Sequence, residues 1–161
     1  MIVFGIDPGC TVTGFGVVES RRGRVRYLDS GHVKTKPSMA MALRLQLIHD
    51  FLRQALGRHE LDAVAIEAIF RHKSSESALR LGQARGVALL AAASYGFDPH
   101  EYNAMTVKKT VGAHGRADKN AMRKMVGMLL GRPIEGPADE ADALGIAITH
   151  CAHGRATPVI R

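Results

Sequence analysis

The sequence is poor in the residues that characterise secreted and membrane proteins. Its 161 residues include no tryptophan, only two cysteines and 5% aromatic residues. Cys10 and Cys151 are too few for a disulfide framework and have no metal-ligand spacing, so we expect both to be reduced and structural. No apolar run approaches the roughly 20 residues of a membrane span. The first residues, MIVFGIDPG, contain no cationic leader and no cleavage site, which leads us to expect a cytoplasmic protein.

Acidic residues are outnumbered by basic ones. The chain has 22 Lys and Arg against 15 Asp and Glu, a formal charge of +7 and an isoelectric point near 9.8. This excess favours a polyanionic partner such as nucleic acid. A membrane surface is disfavoured because no stretch pairs a cationic face with a purely apolar one. With 46% hydrophobic residues, the length fits one globular domain, predicted at 1–153, followed by a flexible tail at 154–161.

Hydrophobic patterning predicts three strands at the start of the chain. Residues 2–6 are a short apolar run ended by a Pro-Gly turn, and 11–18 and 24–34 follow as further strands. Short connections between the three predict an antiparallel meander. Gly14 and Gly16 would weaken the second strand, so they indicate either a close approach of another backbone or ligand, or a bulge.

Helices and strands alternate after this meander. The pattern predicts a helix at 39–56, a strand at 61–66, a helix at 75–94, a strand at 97–102, and helices from about 105, at 118–130 and at 137–150. In the first helix the predicted apolar face consists of Leu43, Leu47, Ile48, Phe51, Leu52 and Ala55, with Arg44, Asp50 and Arg53 elsewhere. Residues 87–93 contain no polar side chain and must be buried, in the core or against another subunit. The fold class is therefore α/β with a mixed sheet flanked by helices.

Two acidic residues end predicted strands. Asp7 closes the first strand and Glu67 closes the fourth. Functional groups gather outside the carboxyl ends of strands in open α/β sheets, so the two would project from one edge if their strands are parallel neighbours. Either residue alone is more often an ordinary turn acid.

A second acidic pair lies on the last predicted helix. Asp139 and Asp142 are three residues apart, which places both on one helix face with Cβ atoms about 5 to 6 Å apart. A structural explanation is also open, because acids near a helix N-terminus gain about 0.3 to 1 kcal/mol from the macrodipole. Pro137 marks such a start, so Asp139 and Glu140 need no other explanation.

A converging group of three or four acids suits a metal-dependent phosphodiesterase. Two divalent cations in such sites lie about 3.5 to 4 Å apart between carboxylates. Carboxylate and water ligands favour Mg²⁺ or Mn²⁺ over zinc. A basic protein with an acidic pocket is the combination that this chemistry needs.

Five motifs in these segments carry a resemblance to a known family. They are GIDPG at 5–9, TGFGVV at 13–18, AIEAIF at 65–70, SALRLGQARGVAL at 77–89 and ADEADALGIAITH at 138–150. In order and spacing they resemble the RuvC-type Holliday junction resolvases, and they span nearly the whole chain. The two long motifs are far more specific than GIDPG alone.

The resemblance implies a fold, an activity and partners. The expectations are a ribonuclease-H-like fold, a homodimer, and symmetric nicking of four-way DNA junctions in recombination and repair, with the RuvA–RuvB branch-migration complex as partner. The resemblance also implies Mg²⁺, two ions per site, with Mn²⁺ able to substitute. The family's catalytic, metal-binding acids fall on Asp7, Glu67, Asp139 and Asp142. Some similar family members carry His where Asp139 stands.

Basic and aromatic residues supply candidate DNA contacts. Phe70 precedes the cations Arg71 and Lys73, and an aromatic in such a setting can stack on an unpaired base. The resemblance favours this role over a core position for Phe70. Lys108 and Lys119 resemble the family's residues near the DNA backbone, although a solvated helix face remains the alternative.

Three other functions compete. An actin-like sugar kinase or ATPase shares the GIDPG turn, but those proteins need two domains and a second phosphate motif. A smaller RuvC-like family associated with RNA end processing shares the opening strand but does not resemble the GQARG helix. A catalytically silent junction-binding module is disfavoured by the intact acids.

Overall fold

The computed structural model describes residues 1–68, 74–112 and 119–154. These residues form one five-stranded sheet, whose strands are β1 Ile2–Asp7, β2 Val12–Arg21, β3 Arg24–Lys34, β4 Ala63–Glu67 and β5 His100–Tyr102. The spatial order is β3-β2-β1-β4-β5. The first three strands pair antiparallel, whereas β1 pairs parallel with β4 and β4 with β5. The mixed sheet and its antiparallel meander are thus confirmed.

Helices cover both faces of the sheet. They are α1 Met41–Leu56, α2 Ser75–Ala93, α3 Ala104–Val111, α4 Lys119–Leu130 and α5 Ala138–His153. One hydrophobic cluster joins the sheet to α1 and α2, and a second joins the opposite face to α3, α4 and α5. No helix in these described ranges combines the length and apolar character that crossing a membrane requires.

The pleat of the two central strands sorts their side chains between these layers. Successive residues of a strand point to opposite faces of the sheet. In β1, Phe4 and Ile6 enter the cluster with α1 and α2, whereas Val3 enters the cluster with α5. In β4, Ile66 lies with α1 and α2, and Ala65 lies on the α5 side. Asp7 follows Ile6 and Glu67 follows Ile66, so the side chains of both acids are directed to the opposite face, which α5 covers.

Glycines allow α5 to lie directly on the sheet. A Cβ atom at Gly14 would lie 2.4 Å from the carbonyl oxygen of Asp139, and one at Gly5 would lie 2.1 Å from that of Ala143. A Cβ atom at Gly16 would lie 2.5 Å from the Leu144 side chain. Of the two alternatives for Gly14 and Gly16, the structure shows the close approach of another backbone at both, which places the first turns of α5 against β1 and β2. A bulge also interrupts the pairing of β2 with β3, but it lies at Val17 and Val18.

The predicted inner face of α1 is wrong at its N-terminal end. Leu43 and Leu47 are 46% and 38% exposed, whereas Arg44 is buried. The Arg44 guanidinium donates to the Thr35 hydroxyl at 2.9 Å and to the Cys10 carbonyl at 2.7 Å. These acceptors, on the loop after β1 and at the end of β3, compensate the loss of water around the charge.

Candidate active site

Asp7 and Glu67 lie side by side at the carboxyl ends of β1 and β4. Ile6 and Ile66 are register partners in this parallel pair, and each acidic residue directly follows its partner. Both side chains point to the α5 side by the pleat alternation. The sequence-based expectation that these two acids project from one sheet edge is therefore confirmed.

The first two turns of α5 bring the other two acids to this edge. Asp139 and Asp142 act on Asp7 electrostatically, as does Glu67, so all four carboxyl groups belong to one cluster. Their separation of three residues places both on the same face of α5. The structure thus gathers four acids from three distant segments of the sequence, although each acid alone could also be explained as a turn or helix-end residue.

Asp7 is at the centre of this cluster. Burial is the largest cause that raises the pKa of its carboxyl well above the ordinary value of 3.8, followed by the negative charges of Glu67, Asp142 and Asp139. A side-chain hydrogen bond joins the Asp7 and Glu67 carboxyl groups and raises the Asp7 pKa further. Two carboxyl groups in such contact hold a proton tightly unless a cation compensates their charge.

Asp142 is the second acid of the cluster whose carboxyl pKa is raised. Burial raises its pKa to about 6, and the charges of Glu67 and Asp139 act in the same direction. The positive charge of Lys108 lowers the Asp142 pKa and opposes these effects. Lys108, the predicted DNA-contacting residue whose side chain the structure describes, therefore lies beside the acids.

A cleft of about 180 Å³ opens between Glu67 and Asp142. Its other lining residues are Ala104, Val107, Lys108, Met122 and Ile146. The apolar wall, from α3, α4 and α5, was not predicted as part of the site, although Ile146 follows Asp142 by one helical turn. A larger groove of about 720 Å³ along α4 is lined by the cations Arg123, Lys124 and Arg132, and the described residues that line it include no carboxylate.

The loop after Asp7 is closed by its own hydrogen bonds. The Thr13 hydroxyl donates to the Gly9 carbonyl at 2.7 Å and accepts from the Gly9 backbone N–H at 3.2 Å. The backbone N–H of Thr35 donates to the Thr11 carbonyl at 2.9 Å. These contacts fix the turn that leaves β1 and so limit the movement of Asp7.

The side chains of the other predicted DNA-contacting residues are not among those that the structure describes. Phe70, Arg71 and Lys73 fall outside the described residues. Lys119 begins α4, but its side chain is not among those described. Their roles in DNA binding stay predictions.

The donor set of the cluster fits a hard divalent cation. Oxygen ligands from several carboxylates are what Mg²⁺ and Mn²⁺ prefer. No three acidic, histidine or cysteine side chains in the described part of the chain are already arranged as a metal-ion site. The Asp7 and Glu67 carboxyl groups are instead hydrogen-bonded to each other, and a bound cation would replace this contact.

A family model, two related sequences and a solved structure all place this chain among the same family of proteins. The model of the family described as crossover junction endodeoxyribonuclease RuvC matches residues 3–150. A protein of that description from Zymomonas mobilis subsp. mobilis is 42% identical over 154 residues, covering 95% of this chain and 92% of its own length. One from Myxococcus xanthus is 44% identical over 158 residues, covering 97% and 83%. The solved structure of T. thermophilus RuvC in complex with Holliday junction substrate superposes with a TM-score of 0.86 at 35% identity, covering 98% and 99% of the two chains.

Proposed function

This chain belongs to the RuvC family of crossover junction endodeoxyribonucleases, and we propose that it resolves Holliday junctions by symmetric, paired hydrolytic nicks. The observation that carries the proposal is the convergence of Asp7, Glu67, Asp139 and Asp142 at one edge of the sheet of a basic protein. The fold is ribonuclease-H-like, and one nuclease domain at 1–153 accommodates the family match and the single sheet. The activity belongs to homologous recombination and DNA repair.

We propose that the four acids hold divalent metal ions. The preferred ion is Mg²⁺, two per site, with Mn²⁺ as a substitute, because the donors are carboxylates. Such ions supply an activated water and neutralise charge on the leaving oxygen of the phosphodiester. Burial and mutual repulsion raise the pKa values of Asp7 and Asp142, so cation binding relieves an electrostatic cost already present in the site.

Basic residues around the cleft would hold the DNA. Lys108 lines the cleft beside Asp142, where its ammonium group can contact a phosphate next to the acids. Phosphate contacts position a substrate without reading its sequence. Lys119, Arg71 and Lys73 are proposed to extend this contact along the backbone, and Phe70 to stack on an unpaired base at the junction.

A homodimer is supported by the outer face of α2. Leu79 and Leu90 are 64% and 60% exposed, and Cβ atoms added at Gly82 and Gly86 would have no atom of another described element within 4 Å. These four residues recur every three or four positions, so they share one helix face. Within 87–93, Leu90 and Ala93 are exposed in one copy of the chain, so for these two residues burial against another subunit is the alternative that remains. Two symmetric nicks also require two sites related by a two-fold axis. We further propose that this dimer works with the RuvA–RuvB branch-migration complex.

Leu90→Asp tests the dimer. The substitution should shift the protein from dimer to monomer in sedimentation velocity, because it places two charges in an apolar, two-fold interface. Leu129→Asp is the matched control, since Leu129 is also exposed, at 46%, but lies on α4. A wild-type monomer, with and without junction, or a Leu90→Asp dimer would count against this interface.

The choice of substrate tests the proposed function itself. A synthetic four-way junction, a linear DNA duplex of the same sequence and an RNA–DNA hybrid are incubated with the protein in Mg²⁺. We expect paired nicks in the junction at a rate at least about 100-fold above that of either linear substrate, which corresponds to roughly 2.7 kcal/mol of discrimination. Preferential cleavage of the hybrid would instead indicate a ribonuclease.

A further inference from the structure

Glu140 is a buried carboxylate between the two acids of α5. It is 8% exposed, and its oxygens contact two side chains of β3. The Ser30 hydroxyl donates to Glu140 Oε2 at 2.7 Å, and His32 Nδ1 lies 2.6 Å from Glu140 Oε1. A carboxylate removed from water needs such partners, and both come from a strand more than 100 residues away in the sequence.

The surroundings of Glu140 leave room for these contacts. A Cβ atom at Gly136 would lie 2.3 Å from the Glu140 carboxyl carbon, so any larger residue there would displace the carboxylate. The Tyr27 hydroxyl lies 3.2 Å from the Ser30 hydroxyl and extends the hydrogen-bonded group along β3. The Arg132 guanidinium covers the Tyr27 ring at 4.1 Å from the centroid. Ser30 is therefore partly buried and held by Tyr27 as well as by Glu140, whereas the His32 side chain keeps 30% of its surface exposed.

Two different constraints act on the first turn of α5. The close approach at Gly5, Gly14 and Gly16 sets the distance between helix and sheet, and most of the apolar side chains that pack α5 into the core lie beyond its first turn: Leu144, Ile146, Ala147 and Ile148. The helix N-cap, Pro137, makes no side-chain capping hydrogen bond. Glu140 is turned about 100° from Asp139 around the helix axis. Its bonds to β3 therefore oppose rotation of the turn that carries the site acids.

We propose that the Ser30–Glu140–His32 group is a positioning device that fixes the rotation of α5, so that Asp139 and Asp142 face Asp7 and Glu67. Glu140 acts through its neighbours on the helix and is itself no ligand of the site. The proposal rests on the function proposed above, because it assigns Glu140 a role in metal binding by the four acids.

Binding of Mn²⁺, followed by the electron paramagnetic resonance signal of the free ion, tests this role without relying on cleavage. Glu140→Ala should weaken Mn²⁺ binding by about 10- to 100-fold, the usual effect of removing a group that orients metal ligands. Junction binding in EDTA should remain within about twofold of wild type, since the DNA-contacting cations are untouched. Glu19→Ala is the matched control, because it removes a carboxylate paired with Arg26 at 2.9 Å on the same sheet, on β2 and β3. It should leave Mn²⁺ binding unchanged.

Ser30 provides a milder test that does not depend on tolerance of Glu140→Ala by the fold. Ser30→Ala should weaken Mn²⁺ binding by several-fold. Ser30→Thr keeps the hydroxyl group and should bind Mn²⁺ with the affinity of wild type. Wild-type Mn²⁺ affinity in both Glu140→Ala and Ser30→Ala would overturn the proposal, even if the melting temperature fell. If Asp7→Asn also binds Mn²⁺ like wild type, the proposed metal site fails as well. If Asp7→Asn loses binding while Glu140→Ala keeps it, only the positioning role is rejected.

Discussion

Asp7→Asn is expected to reduce cleavage of a four-way junction in Mg²⁺ by about 10³-fold or more, which is roughly 4 kcal/mol of activation free energy. Asp7 ends β1 at the centre of the acid cluster, in hydrogen-bond contact with Glu67. Asparagine keeps the size of the side chain but loses its negative charge and one oxygen ligand. Single-turnover cleavage measures the loss, and junction binding in EDTA should stay nearly unchanged.

A control on another surface separates this effect from a general loss of charge. Asp50 is exposed on α1, and Asp50→Asn removes the same charge outside the acid cluster. We expect this control to cleave at the wild-type rate. The assignment of Asp7 would be wrong if Asp7→Asn cleaved like the control, or if its defect disappeared once its lower junction affinity was taken into account.

Asp142→Asn should abolish cleavage and at the same time stabilise the metal-free protein. Burial and the neighbouring acids raise the folded-state pKa of Asp142 from 3.8 to about 6. The folded protein therefore binds a proton more tightly than the unfolded chain, and between pH 4 and 6 its stability falls as the pH rises. At pH 7.5 the ionised carboxylate costs on the order of 2 kcal/mol, and asparagine removes this cost. In EDTA the melting temperature should rise by about 4 to 8 °C.

The pH dependence of the same melting experiment is an internal control. At pH 4 Asp142 is largely protonated in the folded protein, so the difference between wild type and Asp142→Asn should shrink. Saturating Mg²⁺ should stabilise wild type at pH 7.5 more than the variant, because a cation compensates the charge that asparagine lacks. A variant that melts below wild type at pH 7.5 in EDTA would show that the carboxylate is not strained in the fold.

The position of the acids could be predicted because it follows from local rules. Asp7 and Glu67 each end a run of apolar residues, and the alternation of a strand assigns both to the same face once β1 and β4 are parallel neighbours. The three-residue spacing of Asp139 and Asp142 follows from helix geometry alone. The roles of these residues came from resemblance and charge, and they remain proposals for experiment.

Other features depend on contacts that no local pattern contains. The apolar periodicity of α1 placed Leu43 inside and Arg44 outside, but the structure buries Arg44 because the Thr35 hydroxyl and the Cys10 carbonyl accept its hydrogen bonds. Glu140 was explained as a helix N-terminal acid, and its partner Ser30 lies on β3, where no sequence spacing connects the two. Such pairs become visible only when the chain is folded.

Anomalous scattering from Mn²⁺ bound to crystals of the wild-type protein would test the metal site most directly. We predict a difference peak between the carboxylates of Asp7, Glu67 and Asp142, with carboxylate oxygens within about 2.5 Å of the peak. The peak should vanish in Asp7→Asn crystals grown and soaked in the same way. Ordered Mn²⁺ found only elsewhere on the protein, with the four acids still free of metal, would contradict the assignment of these residues as the catalytic metal ligands.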